Sequence, residues 1–496
     1  MSDLVLAIDQ GTTGSTIALM DAGGRLLTSV NHEFPQIFPQ PGWVEHDPDS
    51  IWESVEKGLS AVFADGTYNP ADISAIGITN QRETAVLWDA ETGKAVHNAI
   101  VWQCRRTTDV CEKLKSDGHE ALIKARSGLV LDPYFSATKF KWLLDNGADT
   151  QDLLNQGRLR AGTIDSYLIW RLSAGQAHKT DVSNASRTSL MALDSLSWDD
   201  ELLSIFGVPR TILPEICPSS GRFAVTKDVA GLPDGIPISG VAGDQQSALF
   251  GQACFGIGDA KCTFGTGSFI LMNAGDTPVA SNSGLLSTVA WQLDGERAVY
   301  ALEGGAFVCG AAVQWLRDQL GIIQCAPEVE ALAQTVDDAG GVEFVPALAG
   351  LGAPYWAPEA RGTLTGLTRG SGRGEIARAT LDAMALQNVD ILRAMEKDIG
   401  SRMHSLKVDG GASANNFLMQ LQADYLDRPI TRPEVIETTV AGACFLAGLG
   451  EGVWSSPDEV AKVWRSDRSF DVGITDEART SRFASWQSAV AKTLLN

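Results

Sequence analysis

Apolar positions along the chain fall into short runs bounded by glycine turns and one long stripe at helical spacing. Leu4-Val5-Leu6-Ala7-Ile8 stops at Asp9-Gln10-Gly11-Thr12-Thr13-Gly14-Ser15, and Ile17-Ala18-Leu19-Met20 follows before Asp21-Ala22-Gly23-Gly24. Short runs with β-branched members, ended by Gly, Thr and Asp, predict two strands joined by a tight turn. The shape returns about half a chain later: residues 258–264, then Gly265-Thr266-Gly267-Ser268, then Phe269-Ile270-Leu271-Met272. Two such units predict two related domains facing each other. The boundary falls near residues 245 to 255, giving 1–247 and 248–496.

Three further strands are predicted at 76–79, 85–88 and 99–102, with a turn over 89–94. Leu381, Ala385, Val389, Leu392 and Met395 recur at spacings of four, four, three and three. That is one apolar stripe of a helix over 375–399. Strands alternating with helices predict an α/β architecture.

Composition narrows the picture. The 496 residues are 44% hydrophobic and 20% charged, which gives a folded chain with core material for more than one domain. Lys plus Arg number 39 against 61 Asp plus Glu, a net charge of −22. A general nucleic-acid binder carries the opposite excess, so that class is set aside. A phosphate site on such a chain has to be built locally, from backbone N–H groups and a few cations. There is no run of about 18 apolar residues, so no membrane span is expected. Met1-Ser2-Asp3-Leu4 lacks a basic stretch followed by an apolar one, so a cytoplasmic protein is expected. The eight cysteines form no CxxC pair and do not cluster with the six histidines, which predicts reduced thiols and no zinc site.

Five segments carry candidate chemistry. Asp9 at a strand end, followed by Gly11-Thr12-Thr13, offers N–H groups and hydroxyls for phosphate oxygens and a carboxylate for Mg²⁺. An ordinary hairpin turn explains the same residues. Gly265-Thr266-Gly267 is open to the same two readings. Val408-Asp409-Gly410-Gly411-Ala412-Ser413-Ala414-Asn415-Asn416 reads as a strand, a glycine turn and a helix N-terminus, with Ser413 or Asn415 as cap, a suitable place for an anion or nucleotide. Neither a P-loop nor a dinucleotide fingerprint is present. Asp244, after the run 236–242, can accept a hydroxyl proton during phosphoryl transfer, or simply cap a helix. Arg82-Glu83 with Trp102 can grip a polyol, or form a surface ion pair. Taken together they fit an ATP-dependent phosphotransferase closing two domains on its nucleotide.

Longer stretches carry a family resemblance. GITNQRETAVLWD (77–89), AIVWQCRRT (99–107), LDPYFSATKFKWLLDN (131–146), SNASRTSLMAL (183–193), GVAGDQQSALFGQACF (240–255), GLGAPYWAPEARG (350–362) and VDGGASANNFLMQLQADYL (408–426) resemble the FGGY carbohydrate kinases, in particular those acting on glycerol. The resemblance covers about residues 4 to 455. It implies the actin/hexokinase-like fold: two domains, each a mixed sheet flanked by helices, with a cleft between. The first would hold polyol and phosphate, the second the nucleotide. It implies ATP and Mg²⁺, with glycerol as substrate. Arg82, Glu83, Tyr134, Asp244 and Gln245 would hold the hydroxyls, with Trp102 and Phe269 on the carbon edge. Asp244 would be the general base, and Asp9 and Asp244 would lie by the metal. Thr12, Thr13, Gly14, Thr266, Gly310, Gln314, Gly411 and Asn415 would line the nucleotide site. A homodimer or homotetramer is expected.

Two departures stand out. Family members usually carry Arg where this chain has Thr16, and Ser where it has Gly14, so one phosphate-neutralising charge is missing. Residues 231–235 lack the Gly-Gly-x-Arg pattern of sugar-bisphosphate regulation. Two other readings are kept: a kinase for another small polyol or ketose, such as erythritol or dihydroxyacetone, and a catalytically weak polyol-sensing protein.

Overall fold

The structure is a computed structural model and describes residues 4–495. Its first half is built on a six-stranded sheet in the order Ser220–Val225, Pro237–Gly243, Ile73–Asn80, Leu4–Gln10, Gly14–Asp21, Leu26–Glu33. The second half holds a seven-stranded sheet in the order Leu286–Trp291, Val299–Ala306, Ser268–Gly275, Ala260–Phe264, Leu406–Asp409, Ile430–Pro433, Ser466–Phe470. From the third hairpin strand outward, both sheets run antiparallel, antiparallel, parallel, parallel, antiparallel. The second adds Leu286–Trp291 at its edge. The repeat glimpsed in two hairpins thus extends through six strands.

Each sheet is covered by helices whose apolar stripes fit it. Pro48–Phe63 starts cleanly because Asp47 accepts from the Asp49 and Ser50 N–H groups and Pro48 needs no donor. It turns Ile51, Val55 and Leu59 onto one face of the first sheet, beside Tyr167 and Leu168 of Ile164–Leu172. Arg373–Ile399 is the predicted long helix, and its five stripe residues are all buried in the second core. Its first turn is closed by the Glu375 carboxylate, which accepts from the Gly372 N–H at 2.9 Å.

The halves are joined by two helices that cross between the sheets. Thr438–Gly450, from the end of the chain, packs Val440, Ala443, Cys444 and Ala447 into one cluster with Val5, Ala7, Ala18 and Met20 of the first sheet. Asp244–Gly251, from the first half, shares that cluster through Leu249 and Phe250, beside Leu271 and Trp291 of the second sheet. The helices meet backbone to backbone: a Cβ on Gly442 would lie 1.8 Å from the Ser247 carbonyl oxygen. Thr439, in the first turn of one helix, bonds Asp9, and Asp244, the first residue of the other, lies near enough to Asp9 to act on its charge, so both helices start beside the C-terminal ends of the central strands, where α/β sheets bind ligands.

One strand differs from expectation. The segment read as 99–102 is a strand only at Ala99–Ile100, because the chain turns there: the Cys104 N–H bonds back to the Val101 carbonyl. Trp102 thereby leaves the sheet and faces the cleft. Among the described residues no helix is long and apolar enough to cross a membrane.

Candidate active site

Gln10 ends the first strand, and its side chain, with those of Gln81, His46 and Gln36, holds the Thr12 turn. Gln81 Nε2 donates to Gln10 Oε1 at 3.0 Å and to the Gly11 carbonyl at 3.2 Å. Burial lowers His46 to about 4, so the ring is neutral and bridges Gln81 and Gln36. Gln36 Nε2 reaches the Thr12 carbonyl at 3.0 Å. The turn is thus pinned from below while Thr13 stays exposed.

Trp102 links this turn to a second wall. Its Nε1 donates to Thr12 Oγ1 at 3.0 Å, and its ring stands edge-on to Tyr134 at 5.6 Å. Tyr134 is placed by Lys139, whose ammonium takes the carbonyls of Pro133, Tyr134 and Phe135 ahead of the helix Ser136–Asn146. Burial raises the Tyr134 phenol, which stays protonated.

Arg82 and Glu83 are buried at the end of strand Ile73–Asn80 and are no surface pair. Arg82 Nε lies 3.0 Å from Asp244 Oδ1. Its Nη1 donates to Glu303 Oε2 at 2.5 Å and to Gln246 Oε1 at 3.2 Å, and its Nη2 to Glu303 Oε1 at 3.0 Å. Glu83 accepts from Arg187 Nε at 2.7 Å. Its φ of 60° is a left-handed conformation that a non-glycine residue seldom adopts. Strain of this kind persists where surrounding bonds hold it, and it gathers at functional sites.

Asp244 begins the helix Asp244–Gly251, with Gly243 rather than Asp244 at the capping position, so the carboxylate is left over for other work. Oδ1 accepts from the Gln245 N–H at 2.6 Å, while Oδ2 takes no hydrogen bond among the described residues and the side chain is 31% exposed. Burial raises its pKa, and Arg82 and Lys261 pull against that rise. Lys261 donates to Gln245 Oε1 and, at 2.8 Å, to Thr263 Oγ1. Asp9 is raised to about 6 by burial, opposed by the Thr439 hydrogen bond and reinforced by Asp244. Two carboxylates that burial leaves reluctant to ionise, with a free oxygen on each, suit a hard cation.

The other nucleotide candidates gather at the second sheet. The Gly265 carbonyl accepts from Gly310 N–H at 2.9 Å, and the Thr266 carbonyl from Cys309 and Ala311 at 2.8 and 3.0 Å. This seats the 265–267 turn on the start of helix Gly310–Asp318, which also carries Gln314. Gly410 packs against the Phe264 backbone, bringing Gly411 alongside. Asn415 is the cap of Asn416–Leu426, accepting from Leu418 N–H at 2.8 Å. Phe269 is half-buried against Gly305.

Gly14 and Thr16 prove to be one feature. Asn31 Nδ2 donates to Thr16 Oγ1 at 2.9 Å, and a Cβ on Gly14 would lie 3.0 Å from Asn31 Oδ1 and 2.9 Å from the His32 carbonyl. Asn31 fills the space a serine would need. Thr16 pairs with Asp9 across the hairpin, on the cleft side. Sequence reasoning also passed over Arg187, Gln246, Lys261, Glu303 and Thr439. Glu303 and Lys261 had a signal: each is a charged residue inside an apolar strand, a pattern that requires a buried partner.

Comparison with known proteins completes the description. Residues 4–251 match the N-terminal domain of the FGGY family of carbohydrate kinases, and residues 260–451 its C-terminal domain. The glycerol kinase of Bdellovibrio bacteriovorus is 57% identical over 99% of each chain, and that of Symbiobacterium thermophilum 55% over 98% of each. The crystal structure of Plasmodium falciparum glycerol kinase with ADP superposes with a TM-score of 0.94 at 35% identity, covering 100% of this chain and 99% of that one. The gluconate kinase of Lactobacillus acidophilus, 22% identical with a TM-score of 0.87 and 99% and 97% of the chains covered, shares the fold. Two related α/β domains with their cleft, matched end to end by these proteins, place the chain in the FGGY family of carbohydrate kinases.

Proposed function

We propose that the protein transfers the terminal phosphoryl group of ATP to a primary hydroxyl of glycerol, giving sn-glycerol 3-phosphate. The observation that carries this reading is the position of Asp244. Its Oδ1 is held by Arg82 and the Gln245 N–H while Oδ2 is left without a hydrogen bond among the described residues, beside a wall of Arg82, Glu83, Trp102 and Tyr134. Full-length similarity to glycerol kinases supports it.

In this reading Arg82, Glu83, Tyr134 and Gln245 meet the hydroxyls, and Trp102 and Phe269 cover the carbons. Asp244 takes the hydroxyl proton as the nucleophile forms. Thr12, Thr13 and Gly14 hold phosphate on one side of the cleft. Thr266, Gly310, Gln314, Gly411 and Asn415 hold the nucleotide on the other. Mg²⁺ would be held by Asp9 and Asp244, and when bound it offsets phosphate charge and fixes the phosphates in line. We assign the polyol side to 1–247 and the nucleotide side to 248–496. The division falls within helix Asp244–Gly251, which serves both.

A weaker enzyme, sensing more than turning over polyol, is favoured by one observation: neutral Thr16, tied to Asn31, stands where a phosphate-binding Arg is usual. ADP release measured over glycerol, erythritol and dihydroxyacetone decides between the readings. The proposed function requires glycerol to give the highest kcat/KM.

A further inference from the structure

We propose that Glu303, carried by the second sheet, is a positioning residue for the polyol pocket. Together with Arg187 it fixes Arg82 and Glu83, so the pocket is complete only while the two halves of the chain are together. The inference rests on the glycerol reading above.

Glu303 lies in the strand Val299–Ala306 and is 2% exposed. Its two oxygens meet both Nη atoms of Arg82, and Oε1 also takes Arg187 Nη2 at 3.0 Å. This is the two-point fork that fixes a guanidinium in orientation as well as in place. The bonded residues lie 221 and 116 positions apart, so the contact joins the two sheets and not neighbours in one turn. Arg187 then passes the constraint to Glu83 at 2.7 Å. The result is a continuous line, Glu83–Arg187–Glu303–Arg82–Asp244, whose ends both meet the substrate in the proposed function.

Donor counting shows why the line matters. Arg82 has five N–H groups. Glu303 and Gln246 take three, and Nε is directed at Asp244. One Nη2 N–H is left. Arg187 Nη1 is buried and without a partner among the described residues. Glu303 thus decides which donors stay free for a polyol hydroxyl. Burial raises the Glu83 carboxyl, Arg187 and Arg82 pull against that rise, and Glu303, whose own charge adds to it, helps Glu83 only by holding those two guanidinium groups in place. Without the Glu303 charge, Arg82 keeps Asp244 as its nearest charged partner through Nε but loses the fork that fixes both Nη groups.

The test is steady-state kinetics of the full chain with glycerol and ATP varied separately, each protein also melted. Glu303→Gln removes the charge, Glu303→Asp keeps it on a shorter arm, and Glu303→Gln with Arg187→Gln restores the balance of buried charge. We expect Glu303→Gln to raise the glycerol KM by at least about 10-fold with the ATP KM within about twofold. Glu303→Asp should fall between it and wild type. The double variant should melt near wild type yet keep the raised glycerol KM. A wild-type glycerol KM in either glutamine protein overturns the inference. So does a loss spread equally over both KM values and kcat in step with the melt, or failure of all three variants to fold, since Glu303 is then purely structural. Wild-type protein that does not phosphorylate glycerol refutes the function itself and this inference with it. An active wild type with an indifferent Glu303→Gln refutes the inference alone.

Discussion

The hydroxyl of Thr439 donates to Asp9 Oδ2 at 2.7 Å, tying the first strand to a helix 430 residues later. The bond occupies Oδ2 of Asp9 and anchors the first turn of the crossing helix beside the end of the first strand. It also offsets only part of the cost of burying that carboxylate.

A pH-dependent stability change follows. Asp9 titrates near 6 in the folded protein against an ordinary value of 3.8. Between those values the folded state holds a proton the unfolded state has released, so stability from this group falls as pH rises from about 4 to 6. The rise corresponds to at most about 3 kcal/mol. Without nucleotide or Mg²⁺, Asp9→Asn should therefore melt above wild type at pH 8, with the gain fading at pH 4. It should also lose phosphorylation. An equal melting difference at both pH values would contradict this account.

Asp244→Asn keeps the shape and the Gln245 contact but cannot take a proton. Turnover should fall by about 10² to 10⁴-fold with little change in glycerol KM. Near wild-type turnover would remove Asp244 from the role of base.

Trp102 touches both the Thr12 turn and the Tyr134 wall of the first half. Trp102→Phe retains a ring against Tyr134 and loses the bond to Thr12 Oγ1. A neutral hydrogen bond of about 0.5–1.5 kcal/mol predicts an ATP KM raised about 2- to 10-fold, with glycerol KM within about threefold. A change confined to glycerol would show that the Thr12 contact is idle.

Much of the fold was legible because its strands are short apolar runs between glycine turns and its longest helix carries one stripe. The site was legible in part. Asp9, Arg82, Glu83 and Asp244 stand at strand ends, where polar residues interrupt apolar runs. Their partners were hidden by distance along the chain, since no local pattern links Arg82 to Glu303 or Asp9 to Thr439. The Asn31–Thr16 bond was hidden too, because the register of two hairpin strands has to be known before the pair can meet.

Thr16→Arg tests whether the missing charge matters. The substitution breaks the bond to Asn31 and places a guanidinium on the cleft side of the hairpin, beside Asp9. Two charge-assisted bonds to phosphate then replace one neutral hydroxyl. ATP KM should fall or turnover rise at saturating glycerol. No gain in either would show that the loop around Gly14 and Asn31 already compensates.

The central claim is tested most directly by product analysis. Purified protein, ATP, Mg²⁺ and glycerol are incubated, and sn-glycerol 3-phosphate and ADP are quantified together, with erythritol and dihydroxyacetone in parallel. The account predicts sn-glycerol 3-phosphate in one-to-one ratio with ADP and the highest kcat/KM on glycerol. ADP without that product, or a higher kcat/KM on either other substrate, would contradict it.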